Sequence, residues 1–218
     1  MTYENVEEES ARERQSRVSK EGAKWENYVR SFLNEKLDGT GIEVINGKKE
    51  EEIKKRSLTL WKMLAIPARM STVQDFIWGD IDLVAVKSDF PIAIISCKLS
   101  LHGRFTETLF WGLLFRTSSR IKVVLATPDV GRGKIGEWKS EWGTLDKPTK
   151  DRLLAESYLD GVYVENLKEF CKNMRGGEGT IIGGIVRPLN ELPADIIRWE
   201  KDLSRFIYKS SRSLNSFC

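Results

Sequence analysis

Two apolar, β-branched runs, Ile81 to Val86 and Ile92 to Ile95, flank the polar and turn-forming stretch Ser88-Asp89-Phe90-Pro91. That pattern predicts a β-hairpin. Side chains alternate between the faces of a strand, so Asp80 and Asp82 share one face and Ser96 and Lys98 share one face of the returning strand. With the turn centred near Phe90, Asp82 falls opposite or nearly opposite Lys98. Val84, Val86, Ile92 and Ile94 continue these faces as apolar residues, so charge gathers only where the chain enters and leaves the hairpin.

The rest of the chain alternates helical and extended patterns, which predicts an α/β fold. Trp25, Val29, Phe32 and Leu33 recur at helical spacing and define a first helix over about Ser19 to Leu37, closed by Asp38-Gly39-Thr40-Gly41. Ile42 to Asn46 reads as a short strand. Glu50 to Leu64 reads as one amphipathic helix stopping before Pro67. Arg104 to Arg116 is a helix apolar on all sides, which needs cover beyond a sheet, a dimer interface being one source. Strands follow at Ile121 to Ala126 and Gly161 to Val164, the second reading as the last strand. Helices are expected at Lys150 to Ser157, Asn166 to Met174 and Pro193 to Ser210. The expected organisation is a polar arm, residues 1–18, and a single domain, 19–218, ending in a helical segment.

Composition narrows the class without choosing a function. The 218 residues are 40% hydrophobic and 31% charged, with a formal net charge of +3. This suits one domain with a sizeable core and a mildly basic surface. Cys97, Cys171 and Cys218 lack C-x-x-C spacing, which argues against a disulfide framework and a zinc knuckle. Cys97 should face away from Lys98 as a small core residue. No signal peptide and no membrane-length apolar run is visible, so a cytoplasmic location is expected, with no membrane partner.

Carboxylates and an ammonium beside a core are costly unless they pair or hold a metal. Two readings follow: an Asp82–Lys98 salt bridge at a sheet edge, or a divalent-metal site. Gly79-Asp80-Ile81-Asp82 together with Ser96-Cys97-Lys98, thirteen residues separating Asp82 from Ser96, resembles the PD-(D/E)xK nuclease superfamily. Asp82 matches that family's first acid and Lys98 its lysine, while Ser96 stands where a second carboxylate is usual. The Pro that often precedes the Asp is absent. Ser96 to Phe105 also resembles the S-x-K-T-S/T-L-x-x-R-W segment of several restriction endonucleases. Some of these supply the displaced carboxylate from the following helix, where Glu107 is the one acid. Lys20 to Leu33 looks like the superfamily's first helix, whose glutamate, here Glu26, points into the metal site. The plain alternative is a solvated Glu26 pairing with Arg30.

The resemblance implies a restriction-endonuclease-like fold, with a central mixed sheet of four to five strands flanked by helices. It implies Mg²⁺ held by Asp82 with Glu107 or Glu26, the Cys97 carbonyl as a third ligand, and Asp80 as an alternative. Lys98 would orient and polarise the attacking water. The activity implied is type II restriction: a homodimer cutting double-stranded DNA at a short palindrome. A structure-specific nuclease and a catalytically decayed DNA-binding protein are the alternatives. Candidates for DNA contact are Arg69, Met70 and Gln74 before the hairpin, Arg104 after it, and Arg132 and Lys134 in a basic loop. Gly131-Arg132-Gly133-Lys134 is no phosphate loop, because Pro128 occupies the first glycine position and Ile135 follows the lysine.

Overall fold

The hairpin forms where the pattern places it. In the computed structural model, which describes residues 11–69, 74–101, 105–131, 140–143, 147–165 and 185–214, strand β4 spans Leu83–Lys87 and β5 spans Phe90–Cys97. Leu83 pairs with Ile95 and Lys87 with Phe90, with a register shift between Ala85 and Val86. The loop is only Ser88-Asp89, tighter than a turn centred at Phe90. Both residues are left-handed, at φ 48° and 62°, as a two-residue hairpin loop of the primed type requires. Asp89 is held there by a hydrogen bond from Arg56 Nε, 3.1 Å. Ser88 has no such contact among the described residues to offset its left-handed backbone, and aspartate tolerates that region better than serine. Ser88→Gly should therefore raise stability by about 0.5–1 kcal/mol in urea unfolding, the relief outweighing glycine's extra chain entropy. A loss of stability would show that the serine side chain matters to this turn.

Six strands make the main sheet, in the order β1-β4-β5-β6-β7-β8. Strand β1 (Glu43–Asn46) and the hairpin are antiparallel. Strands β6 (Lys122–Thr127), β7 (Gly161–Val164) and β8 (Val186–Pro188) continue from β5 in parallel. The sheet is mixed, as expected, but one strand wider. Strand β8 lies beyond Gly161–Val164, which read as the last strand, and its three residues are too few to show a period of two. A separate antiparallel pair, β2 (Ile66–Arg69) and β3 (Gln74–Ile77), precedes the main hairpin in the chain, in the stretch that held the candidate contacts Arg69 and Gln74.

Each face of the sheet carries a core. Helix α1 (Ala11–Lys36) buries Trp25, Val29 and Leu33 on one face, beside Leu192, Ile196 and Trp199 of α6 (Leu192–Leu214). The other face is covered by α3 (Leu58–Leu64), α4 (Phe105–Ser118) and α5 (Lys150–Tyr158), through Leu60, Phe115 and Ala155. Helix α1 starts before Ser19. Its added turns include exposed residues 16–20 and the i,i+4 pair Arg17–Glu21, so good helix formers extend it into the arm without burial. The expected second helix is two, α2 (Glu50–Arg56) and α3, broken at extended Ser57, whose hydroxyl caps Leu60 N. On α4, Phe115 is buried while Phe110 and Leu113 are exposed. No helix among the described residues is long and apolar enough to cross a membrane.

Candidate active site

The hairpin's open end collects the charges. Asp82 sits just before β4 and Lys98 just after β5. Asp82 is 2% exposed and Lys98 9%, so a sheet-edge surface salt bridge does not describe this pair. The Lys98 ammonium lies 3.2 Å from Asp82 Oδ2 and 3.5 Å from Asp80 Oδ2. The same Asp82 oxygen accepts the Cys97 N–H at 2.8 Å and the Ser96 hydroxyl at 3.4 Å. A buried carboxylate without such donors would cost several kcal/mol. Asp80 does not share a strand face with Asp82, because β4 starts only at Leu83. It is half-exposed and reaches Lys98 from outside.

The two helical layers both reach this end of the hairpin. From α4, the Thr108 hydroxyl meets Ser96 Oγ at 3.0 Å, both buried. Glu107, one residue earlier, is exposed on the first turn of α4. Consecutive helical residues point about 100° apart, so facing one of them to Ser96 turns the other away. From α1, Glu26 bonds the Lys48 ammonium, and that ammonium also lies 3.2 Å from Asp82 Oδ1. Glu26 therefore faces the hairpin through Lys48 and does not pair with Arg30, which donates to Asn27. Burial works to lower the Lys48 pKa, but the hydrogen bond to Glu26 and the charges of Asp82 and Glu26 outweigh it, and the net shift is upward.

Residues 50–176, which include Asp82, Ser96 and Lys98, match the family model of the BsaWI type 2 restriction endonucleases. The chain belongs to the BsaWI restriction endonuclease family. Over 75 residues it is 44% identical to the putative type II restriction enzyme MjaVIP of Methanocaldococcus jannaschii, covering 33% of this chain and 31% of that one. It thus spans about a third of the length of that curated relative. The crystal structure of the pre-specific restriction endonuclease BsaWI in complex with DNA overlaps 87% of this chain and 65% of the BsaWI chain, at 13% identity and a TM-score of 0.49.

Glu26 and Lys48 both lie outside the region matched to the BsaWI family. Tertiary contacts alone place them. Trp25 Nε1 donates to the Ala126 carbonyl at 3.2 Å, and the Lys98 backbone N–H donates to the same oxygen at 3.1 Å. One carbonyl thereby holds α1, and Glu26 with it, against the residue that carries the ammonium. Lys48 is placed by Gly47, whose N–H donates to the Asp82 carbonyl at 2.9 Å. A Cβ at Gly47 would lie 2.4 Å from Ile81 Cγ2 and 2.7 Å from Ile81 O, so only glycine permits this approach.

The donor set suits a hard divalent cation. Glu26 Oε1 and Asp82 Oδ1 already share one cation, the Lys48 ammonium, so two carboxylate oxygens converge on a single cationic position. Among the described residues no three His, Cys, Asp or Glu side chains gather into a closed metal cage. One or two carboxylates are enough for a hard divalent cation whose shell is completed by water and phosphate oxygens. Cys97 is buried in the opposite core, as strand alternation predicted. Burial, then the charges of Asp82 and Glu26, push its thiol well up, so its side chain is a neutral core group.

The expected DNA contacts fare unevenly. Arg69 and Gln74 pair across the β2–β3 hairpin, a register that places them at its turn end. Met70, Arg104, Arg132 and Lys134 lie outside the described residues, as do His102, Cys171, Cys218 and the helix expected at Asn166 to Met174. On either side of the stretch that holds Arg132 and Lys134, Asp129, Glu141 and Trp142 are buried. Glu141 accepts from Ser100 Oγ and Leu101 N, both at 3.1 Å, bracing the loop after Lys98. Thr108, Lys48 and Glu141 were not anticipated. A lysine after a short strand and a threonine on an apolar helix carry no spacing that marks them.

Proposed function

We propose that this chain is a Mg²⁺-dependent type II restriction endonuclease that hydrolyses phosphodiester bonds of duplex DNA at a short palindromic site as a homodimer. One observation carries the reading: Lys98 Nζ lies 3.2 Å from Asp82 Oδ2 at the buried open end of a hairpin, in a chain of the BsaWI family. A palindromic site calls for two-fold symmetry in the protein. Asp82 and Glu26 would hold the metal, with the Cys97 carbonyl and Asp80 as further oxygen donors. When bound, Mg²⁺ supplies Lewis-acid polarisation of the scissile phosphate.

The chain's own residues do the rest. Lys98 orients the attacking water and offsets charge building on the phosphate. Cys97 N–H and the Ser96 hydroxyl, itself paired with Thr108, hold the Asp82 carboxylate in one orientation, so the carboxylate itself need not turn when substrate arrives. Asp80, half-exposed, keeps Lys98 from lying wholly against Asp82. Arg69 and Gln74, at the turn end of the β2–β3 hairpin, are proposed DNA contacts, together with Met70, Arg104, Arg132 and Lys134.

Plasmid of known sequence should yield discrete fragments in Mg²⁺ and none in EDTA. A smear, or cutting confined to branched DNA, would favour a structure-specific nuclease. DNA binding without any cutting would favour a decayed site. The same assay ranks the two candidate acids. Glu26→Gln should lose at least about 10²-fold in rate, in the range for removing a group that stabilises transition-state charge. Glu107→Gln should stay within about threefold of wild type. The reverse order would return the second carboxylate to α4.

A further inference from the structure

Lys48 is an odd member of this cluster. Asp82 already has one ammonium, Lys98, on its Oδ2. A second ammonium, on a side chain 46% exposed, reaches in from solvent to its Oδ1 and to Glu26. Its backbone is not free to sit elsewhere. Gly47 is packed against Ile81 too closely for any Cβ, bonds the Asp82 carbonyl, and accepts from Trp78 Nε1 at 3.1 Å. The Lys48 N–H in turn donates to Asn46 Oδ1 at 2.9 Å. The turn is thus built to start a lysine beside Asp82, while four flexible methylenes leave the head group able to withdraw.

We propose that the Lys48 ammonium holds the cation position between Glu26 and Asp82 in the DNA-free protein and is displaced when a divalent ion binds there. The inference rests on the metal-site reading above and adds a control on metal loading. Three carboxylates (Glu26, Asp80, Asp82) and two ammoniums (Lys48, Lys98) leave the cluster one negative charge. With Lys48 withdrawn and a divalent ion in its place, the three carboxylates, Lys98 and the ion sum to zero, so the exchange removes the cluster's negative charge. A doubly charged ion gains about twice the Coulomb energy of an ammonium from the same two oxygens at equal distance, so it can displace the lysine. It must do so against a tethered competitor, which weakens its apparent affinity. Turned outward, Lys48 stays on the exposed side of the site, where a DNA phosphate would be its natural partner. A competitor of this kind keeps a nuclease poorly metallated until substrate is present.

The test is Mn²⁺ binding to the DNA-free protein by calorimetry, with thermal unfolding in parallel. Lys48→Met removes the competitor and should bind Mn²⁺ at least tenfold more tightly than wild type. In EDTA it should unfold at a lower temperature, because Glu26 and Asp82 lose a counter-ion. Its rise in unfolding temperature on adding Mn²⁺ should exceed the wild-type rise. Lys48→Arg keeps a cation in place and should bind Mn²⁺ no more tightly than wild type, which guards against a folding artefact in the methionine variant. Equal or weaker Mn²⁺ binding by Lys48→Met, with wild type still binding, overturns this inference and leaves the metal site standing. Absence of Mn²⁺ binding in every variant overturns both.

Discussion

Lys98→Met should lower Mg²⁺-dependent cleavage of duplex DNA by about 10³-fold, within the range for losing a positioned proton-handling or charge-stabilising group, while DNA affinity in Ca²⁺ changes little. Methionine keeps most of the volume of the lysine stem, so the neighbouring backbone, pinned through Lys98 N to the Ala126 carbonyl, has no reason to move. The substitution leaves the Asp82 carboxylate buried, but not alone. Lys48 remains on Oδ1, and the Cys97 N–H and Ser96 hydroxyl remain on Oδ2. That is why the variant is expected to fold, and why the lost rate reports on chemistry. Single-turnover cleavage with the enzyme in excess is the measurement. A rate within tenfold of wild type would remove Lys98 from the reacting centre and return the Asp82–Lys98 pair to a structural role.

The largest effect on stability should come from the β7–β8 edge of the sheet. Asp195, in the first turn of α6, is 3% exposed and is surrounded by donors. The Tyr163 hydroxyl of β7 donates to its Oδ2 at 2.5 Å, Arg187 of β8 bonds the same oxygen, and Arg198 reaches Oδ1 at 2.5 Å. Burial, followed by the bond to Asp195, drives the Tyr163 phenol far above its ordinary pKa, so it stays a donor at any working pH. One carboxylate thus joins the last two strands to the last helix. Asp195→Ala leaves the buried Tyr163 phenol without its acceptor and Arg187 with only Glu191 among the described residues, at 4.0 Å, a loss of about 2–3 kcal/mol. For a chain of this length each kcal/mol is worth roughly 2–4 °C in unfolding temperature. Asp195→Asn keeps an acceptor for Tyr163 and should lose less. A fall below about 1 kcal/mol for the alanine variant would mean that α6 is held by Leu192, Ile196 and Trp199 alone.

The parts of the site legible in the sequence were those whose signal is local. Asp82, Ser96 and Lys98 lie on one hairpin, where strand alternation and a short turn restrict what can meet what. The one-residue shift at Ala85/Val86 and the tighter loop altered the pairing details without separating these residues. Glu26 was visible as a helical position at the edge of an apolar stripe, but whether it met solvent, Arg30 or the hairpin depended on how α1 docks. Trp25 on the Ala126 carbonyl decided that, a contact between residues 101 apart. Glu107 stood out only as the single acid of its helix. The rotation of α4 brought Thr108 to Ser96 instead, and that rotation is set by packing of Phe105 and Phe115 into the core.

The amino-acid order by itself determined the α/β class, the buried hairpin, the Asp82–Lys98 meeting at its open end and the outward turn of Cys97 into the other core. These follow from period, turn chemistry and the cost of burying charge, which act over a few residues. The sixth strand, the choice of Glu26 over Glu107 at the hairpin's open end, the Ser96–Thr108 contact and the second ammonium on Asp82 were decided only by the tertiary structure. Each brings together segments distant in the chain. Their encounter is fixed by how helices dock on the two faces of the sheet and by one glycine that lets the turn after β1 press against Ile81.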